Sequence, residues 1–138
     1  MNIRLILIGL ALLAVLILLW VLEKRRNEAA LSKLTVRVNV NGIRGKSTAT
    51  RLITAILQEA GYRVVGKTTG TAARMFAWDC PEEEEIHRYP HGVSISEQLK
   101  VIRSAAKRGA NALVCECMAV KPEYQRVYQQ DIIKAKDR

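Results

Sequence analysis

Apolar side chains fill residues 3–22 almost without a break, and Arg4 is the single charge among them. A helix over this stretch has no polar face, unlike a helix that covers a soluble core. Twenty helical residues rise about 30 Å, the depth of a bilayer core. Arg4 is close enough to the end to snorkel, and Trp20 lies where an indole favours the other interface. Residues 27–34 are polar and alanine-rich and read as a helical continuation or a short linker. β-Branched residues then mark a strand over 35–40. Leu52, Ile53, Ile56 and Leu57 fall on one face of a helix predicted over 47–60, with Gly61 as its C-terminal stop. A second strand over 62–65 leads into a glycine–hydroxyl loop, Gly66 to Thr71. Residues 76–91 lose periodicity; Pro81, Pro90 and the run Glu82-Glu83-Glu84-Glu85 predict a solvated excursion. Ser94 to Glu97 is a capping box that opens a helix carrying Leu99, Val101, Ile102 and Ala105, stopped at Gly109. Residues 112–117 are almost wholly apolar, as a buried parallel strand is. Pro122 opens a last helix to about 135. Strand–helix alternation predicts an α/β fold built on a parallel sheet.

The densest chemistry sits between the first strand and its helix, in Gly42-Ile43-Arg44-Gly45-Lys46-Ser47-Thr48. Glycines let the backbone turn sharply and present N–H groups to an anion, and the helix points its positive end at the same place. Lys46 would reach the outer phosphates of a nucleotide, and the Ser47 hydroxyl would ligate magnesium. The spacing is G-x-x-G-K-S-T; Val40 stands where the usual phosphate loop has its first glycine. A strand before and an amphipathic helix after give the loop the right context. The plainer alternative is a glycine turn with solvated cations.

Charge sharpens the picture at one end. Of a net +9, the group Lys24, Arg25 and Arg26 follows directly on the apolar segment and Glu23. These cations outweigh Arg4 plus the amino terminus, so the positive-inside rule puts the N-terminus outside and the rest in the cytoplasm. A cleaved signal peptide is the rival, but the run is long and no small-x-small site follows. The remaining cations are scattered without an aromatic platform, which argues against a nucleic-acid partner. Cys80, Cys115 and Cys117 form no C-x-x-C pair and read as free thiols, the last two packed on one strand face. His87 and His91 share an H-x-x-x-H spacing, but Pro90 interrupts it, and solvated loop histidines are favoured over zinc. The glutamate run reads as solvated.

Glu116 breaks the apolar third strand. A buried carboxylate needs a partner, and magnesium shared with Ser47 would be one. Otherwise Glu116 lies past the strand end, solvated or paired with Lys121. Ligands of parallel sheets bind at the C-terminal strand ends, where both the loop and Glu116 fall.

With these residues in view, the chain resembles the Mur ligase and folylpolyglutamate synthase superfamily, and most closely the ligase subunits of poly-γ-glutamate synthases. The resemblance runs through the membrane segment, Val38 to Ser47, Ala60 to Tyr62, Val65 to Thr71, Ala73 to Met75, Trp78-Asp79 and Glu116 to Val120. It implies a Mur ligase central-domain-like phosphate-loop fold and an ATP-dependent amide ligase. ATP and Mg2+ are the implied cofactors; glutamate, the growing polymer, the membrane and other membrane subunits are the implied partners. Lys46 is the implied catalytic residue, with Gly42, Ile43, Arg44, Gly45, Ser47 and Thr48 on the nucleotide. Ser47 and Glu116 hold the metal, and by the same resemblance Thr69 or Thr71 approaches the phosphates. The organisation expected is an anchor with basic flank (1–26), a linker (27–34) and part of an ATP-binding α/β domain (35–138). The family's chain is longer, with an aspartate–histidine motif and a closing C-terminal domain. A fragment inactive as a ligase on its own is therefore expected. A ligase for another amino acid, or a tethered nucleotide-binding module without catalysis, are the alternatives.

Overall fold

A computed structural model describes residues 3–70, 72–86, 95–118 and 122–129. Helix α1 (Ile3–Lys33) is unbroken over 31 residues. Its apolar part is exposed on every side, and it is long and apolar enough to cross a membrane. Residues 27–33 continue the helix, and its last turn joins the core through Ala30, Leu31 and the adjoining Leu34. Strand β1 (Val36–Val40) follows at once, then α2 (Lys46–Glu59), β2 (Val64–Thr68), β3 (Arg74–Ala77), β4 (Cys80–Glu85), α3 (Ile95–Arg108), β5 (Ala112–Glu116) and α4 (Pro122–Val127).

The strands form one sheet in the order β1-β5-β2-β3-β4. β1, β5 and β2 are parallel, with Val40 opposite Glu116 and Lys67 opposite Cys115. Side chains alternate between two faces, and each face meets its own helices. Val40, Val64, Ala112 and Val114 pack with Ala49, Ile53 and Leu57 of α2. Val65, Leu113 and Cys115 pack beneath α3, the end of α1, and Tyr128 just beyond α4. α2 closes on Gly61, whose φ of +84° lies in the left-handed region; the Gly61 and Tyr62 amides donate to the Gln58 and Leu57 carbonyls. This double bond satisfies the helix's last carbonyls, and only glycine adopts that φ without strain.

The expected all-parallel sheet is corrected to a mixed one. β3 and β4 form an antiparallel hairpin on the far side of β2, where an irregular excursion is expected from sequence. The glutamate run is most of β4, an edge strand, where charge discourages pairing with another chain. Its carboxylates find cations on other elements: Glu83 pairs with Arg51 and Arg74, and Glu84 with Arg108. The expected loop from Gly66 is likewise corrected, because Gly66, Lys67 and Thr68 belong to β2. Thr71, Pro90, His87, His91, Ser94, Lys121 and the end of the last expected helix lie outside the described residues. Among the described residues, no group of three or more metal-ligating side chains gathers.

The Arg51 guanidinium, followed by Arg74, holds the Glu83 carboxyl below its ordinary range. A lowered carboxyl stabilises the fold above its ordinary pKa and loses that contribution as pH falls through the lowered value. The Arg51–Glu83 coupling should therefore be about 0.5 kcal/mol at neutral pH, as for exposed pairs. It should fade as the pH is lowered through that value. A double-mutant cycle of urea midpoints at neutral pH and in acid checks this.

Candidate functional site

The loop between β1 and α2 turns on Gly45, whose φ of +74° is left-handed and which occupies the N-cap of α2. The Ala49 amide closes the first turn onto the Gly45 carbonyl, and no side chain caps the helix. Earlier amides of a first turn have no partner inside the helix and are left to whatever anion comes. Lys46 folds back over the loop, donating from Nζ to the Gly42 carbonyl at 2.9 Å. Asn41 braces the entry: its Oδ1 accepts the Gly42 amide at 2.8 Å and its amide donates to Gln125 Oε1 at 2.7 Å. Ile43, Arg44 and Thr48 face solvent.

Glu116 ends β5 beside this loop. The alternation that buries Ala112 and Val114 against α2 also turns Glu116 to that side, and its side chain is buried, 4% exposed. Ser47 Oγ donates to Glu116 Oε2 at 2.9 Å, and the Thr69 amide donates to the same oxygen at 2.8 Å. Gly70 lies against Ser47, where an added Cβ would meet Oγ at 3.6 Å. The ends of β1, β2 and β5 thus bring Ser47, Thr69 and Glu116 together, with Lys46 and the loop glycines alongside. Among the described residues no cation pairs with Glu116. A carboxylate and a hydroxyl oxygen are donors of the kind magnesium takes, so the pair fits that ion.

The opposite face of the same strand ends carries a polar cluster absent from the sequence reading. Lys67 is fully buried and pairs with Glu97 of α3 at 2.6 Å. Asn39 and Lys67 flank Cys115 in register, and the Gln98 amide donates to Met118 Sδ. Burial pushes the Cys115 thiol up to about 12, against the pull of Lys67, and raises Tyr128 as well. Both therefore stay protonated at neutral pH, and Cys115 behaves as a small apolar side chain. The alternation Val65, Lys67 is the signal that finds this cluster once β2 is seen to run through Thr68. A separate open groove of about 710 Å3 lies between α2 and the hairpin, away from the loop, lined by Arg51, Gln58, Tyr62, Phe76 and Trp78.

No model of a protein family matches the chain, and no solved structure matches it. Two curated proteins do. PGA synthase CapB of Bacillus subtilis (strain 168) is 57% identical over 122 residues, which cover 88% of this chain and 31% of that protein. Capsule biosynthesis protein CapB of Bacillus anthracis is 52% identical over 120 residues, 87% of this chain and 26% of that protein. The chain therefore spans less than a third of the length of either relative.

Proposed function

We propose that this chain is the nucleotide-binding part of an ATP-dependent amide ligase that extends poly-γ-glutamate in capsule synthesis, within a Mur ligase-like superfamily. The observation that carries the reading is the 2.9 Å approach of Ser47 to the buried Glu116 carboxylate beside a G-x-x-G-K-S loop. Similarity to the two CapB proteins supplies the polymer and the capsule. The ligase passes the γ-phosphoryl group of ATP to the carboxylate of the growing chain, giving an acyl phosphate and ADP. The amine of an incoming glutamate then attacks the acyl carbon and expels phosphate. Such an amine cannot displace oxide from a bare carboxylate, which is why the carboxylate is phosphorylated first.

Each side chain has a task in this scheme. Lys46 exchanges the Gly42 carbonyl for phosphate oxygens and neutralises charge on the transferring group. The amides of Gly42 to Thr48 cradle the phosphates, and a hydroxyl of Thr69 or Thr71 assists. Ser47 and Glu116 would hold Mg2+, which supplies further charge neutralisation when bound. α1 is the anchor, with the N-terminus outside, the ATP site in the cytoplasm and other membrane subunits as neighbours.

Glu116→Gln tests the metal assignment. The amide keeps an oxygen for Ser47 and Thr69, so the loop stays in place. Mg2+ affinity in the presence of ATP should fall about 10- to 100-fold, while metal-free nucleotide binding should hold within about threefold. Calorimetric titration of ATP with and without Mg2+ reads both. An unchanged Mg2+ dependence removes Glu116 from the metal site.

A further inference from the structure

We propose that the sheet edge bearing the phosphate loop faces an anionic bilayer surface, with Ile43 and Arg44 at headgroup depth. This rests on the reading of α1 as a membrane span and not on the ligase chemistry.

The direction of α1 carries the argument. Its last turn lies at the start of the parallel strands: β1 opens just after Lys33, and Ala29, Ala30 and Lys33 line one hollow with Ala106 and Lys107 near the end of α3. One step back along α1, Glu23 and Asn27 meet Arg103 of α3, at 2.7 Å and 2.6 Å. α3 itself begins at the other end of the sheet, where Glu97 holds Lys67 and Gln98 reaches Met118. Travelling from Leu31 towards Glu23 therefore leads towards the C-terminal strand ends. Continued further, α1 leaves the domain on the side of the phosphate loop.

The heights agree. From Leu31 back to Leu22 the helix rises about 14 Å, and from Ala112 to Glu116 β5 climbs about 13 Å. The end of the apolar segment and the mouth of the site thus lie at nearly one level. No loop separates them, because α1 is continuous from Ile3 to Lys33 and is fastened to α3 by Arg103. The helix cannot leave the bilayer at Leu22 without bringing that edge to the surface.

The residues on that edge suit a lipid surface. Ile43 is 97% exposed at the loop tip, with Arg44 exposed next to it. Lys24, Arg25 and Arg26 surround the helix exit, and Lys24 lies over the Trp20 ring, 5.5 Å from its centroid. A cation near an anionic surface contributes about 1 kcal/mol, and an apolar tip among cations is how interfacial segments seat themselves.

The test uses the full chain in liposomes containing phosphatidylglycerol. A photoreactive benzoylphenylalanine replaces Ile43 or, as a control at the far edge, Tyr62. Irradiation and mass spectrometry should show phospholipid adducts at position 43 at least about tenfold above position 62, as interfacial seating implies. Carbonate washing is run in parallel. A chain that washes off overturns the membrane span and the proposal with it. An inserted chain with no lipid adduct at 43, equal adducts at both positions, or an adduct to a second copy of the chain overturns the orientation alone. Mg-ATP titration of the parent chain in the same liposomes keeps the nucleotide reading separate.

Discussion

Replacing Gly66 with alanine should cost the domain about 3 kcal/mol or more, at the upper end of what overpacking does in a core. Gly66 pairs with Phe76 across β2 and β3, and the ring lies over it. A Cβ added there would fall on the ring edge at Cε2, 2.6 Å from Cζ and 2.7 Å from Thr54 Oγ1. Thr54 is buried and donates to the Thr50 carbonyl at 2.7 Å, and the Arg51 guanidinium sits 5.4 Å from the Phe76 ring centre. Relief requires the ring to swing into the groove it lines, away from Arg51, or the hairpin to lift away from α2. Domains of this size are stable by about 5–15 kcal/mol, so the loss is a large share. Urea unfolding followed by circular dichroism in detergent should show the midpoint fall. Phe76→Ala in the Gly66→Ala background should recover part of the loss, because the ring is the obstacle; Phe76→Ala alone should destabilise. A Gly66→Ala midpoint equal to that of the parent chain would mean the ring lies elsewhere.

The same glycine shows where sequence reading stops. Read forward, Gly66-Lys67-Thr68-Thr69-Gly70 has the composition of a loop. The chain instead runs straight through Thr68, because β5 and β3 pair with β2 on both sides and a flat glycine receives an aromatic ring from across the strand. The β5 pairing joins residues remote in sequence, and composition carries no trace of it or of the ring. The hairpin was hidden for a related reason. Four glutamates read as a solvated loop; they stay largely exposed but lie on a strand, where Glu83 and Glu84 meet Arg51, Arg74 and Arg108 from α2, β3 and α3. What local rules govern was legible. The strand at Val36, the helix after Lys46, the stop at Gly61 and the buried run at Ala112 are all set by near neighbours. The meeting of Ser47 with Glu116 was legible at one remove, since parallel strands end on one edge whatever their order. The Thr69 amide on that carboxylate was not, because a main-chain donor has no sequence signature. The Lys67–Glu97 pair was not either, since a lysine at full burial defies its usual place.

Lys46→Met should separate nucleotide binding from stability. Lys46 stands at the first residue of α2, where the helix's positive end makes a cation unfavourable by about 0.3–1 kcal/mol. No acidic residue in that turn offsets it. Its described bond, to the Gly42 carbonyl, joins one exposed group to another. Removing the charge should therefore leave the urea midpoint unchanged or raise it slightly. Hydrogen bonds to charged groups contribute about 1.5–3 kcal/mol, so Mg-ATP affinity should fall about 10- to 150-fold. A residue kept for the fold would move both quantities the same way. Opposite movement marks a charge held against the preference of the helix for the sake of an anion. Calorimetric ATP titration beside the unfolding curve reads the two together. Affinity within about threefold of the parent chain would remove Lys46 from the phosphates, and with it the main reason for reading this loop as a nucleotide site.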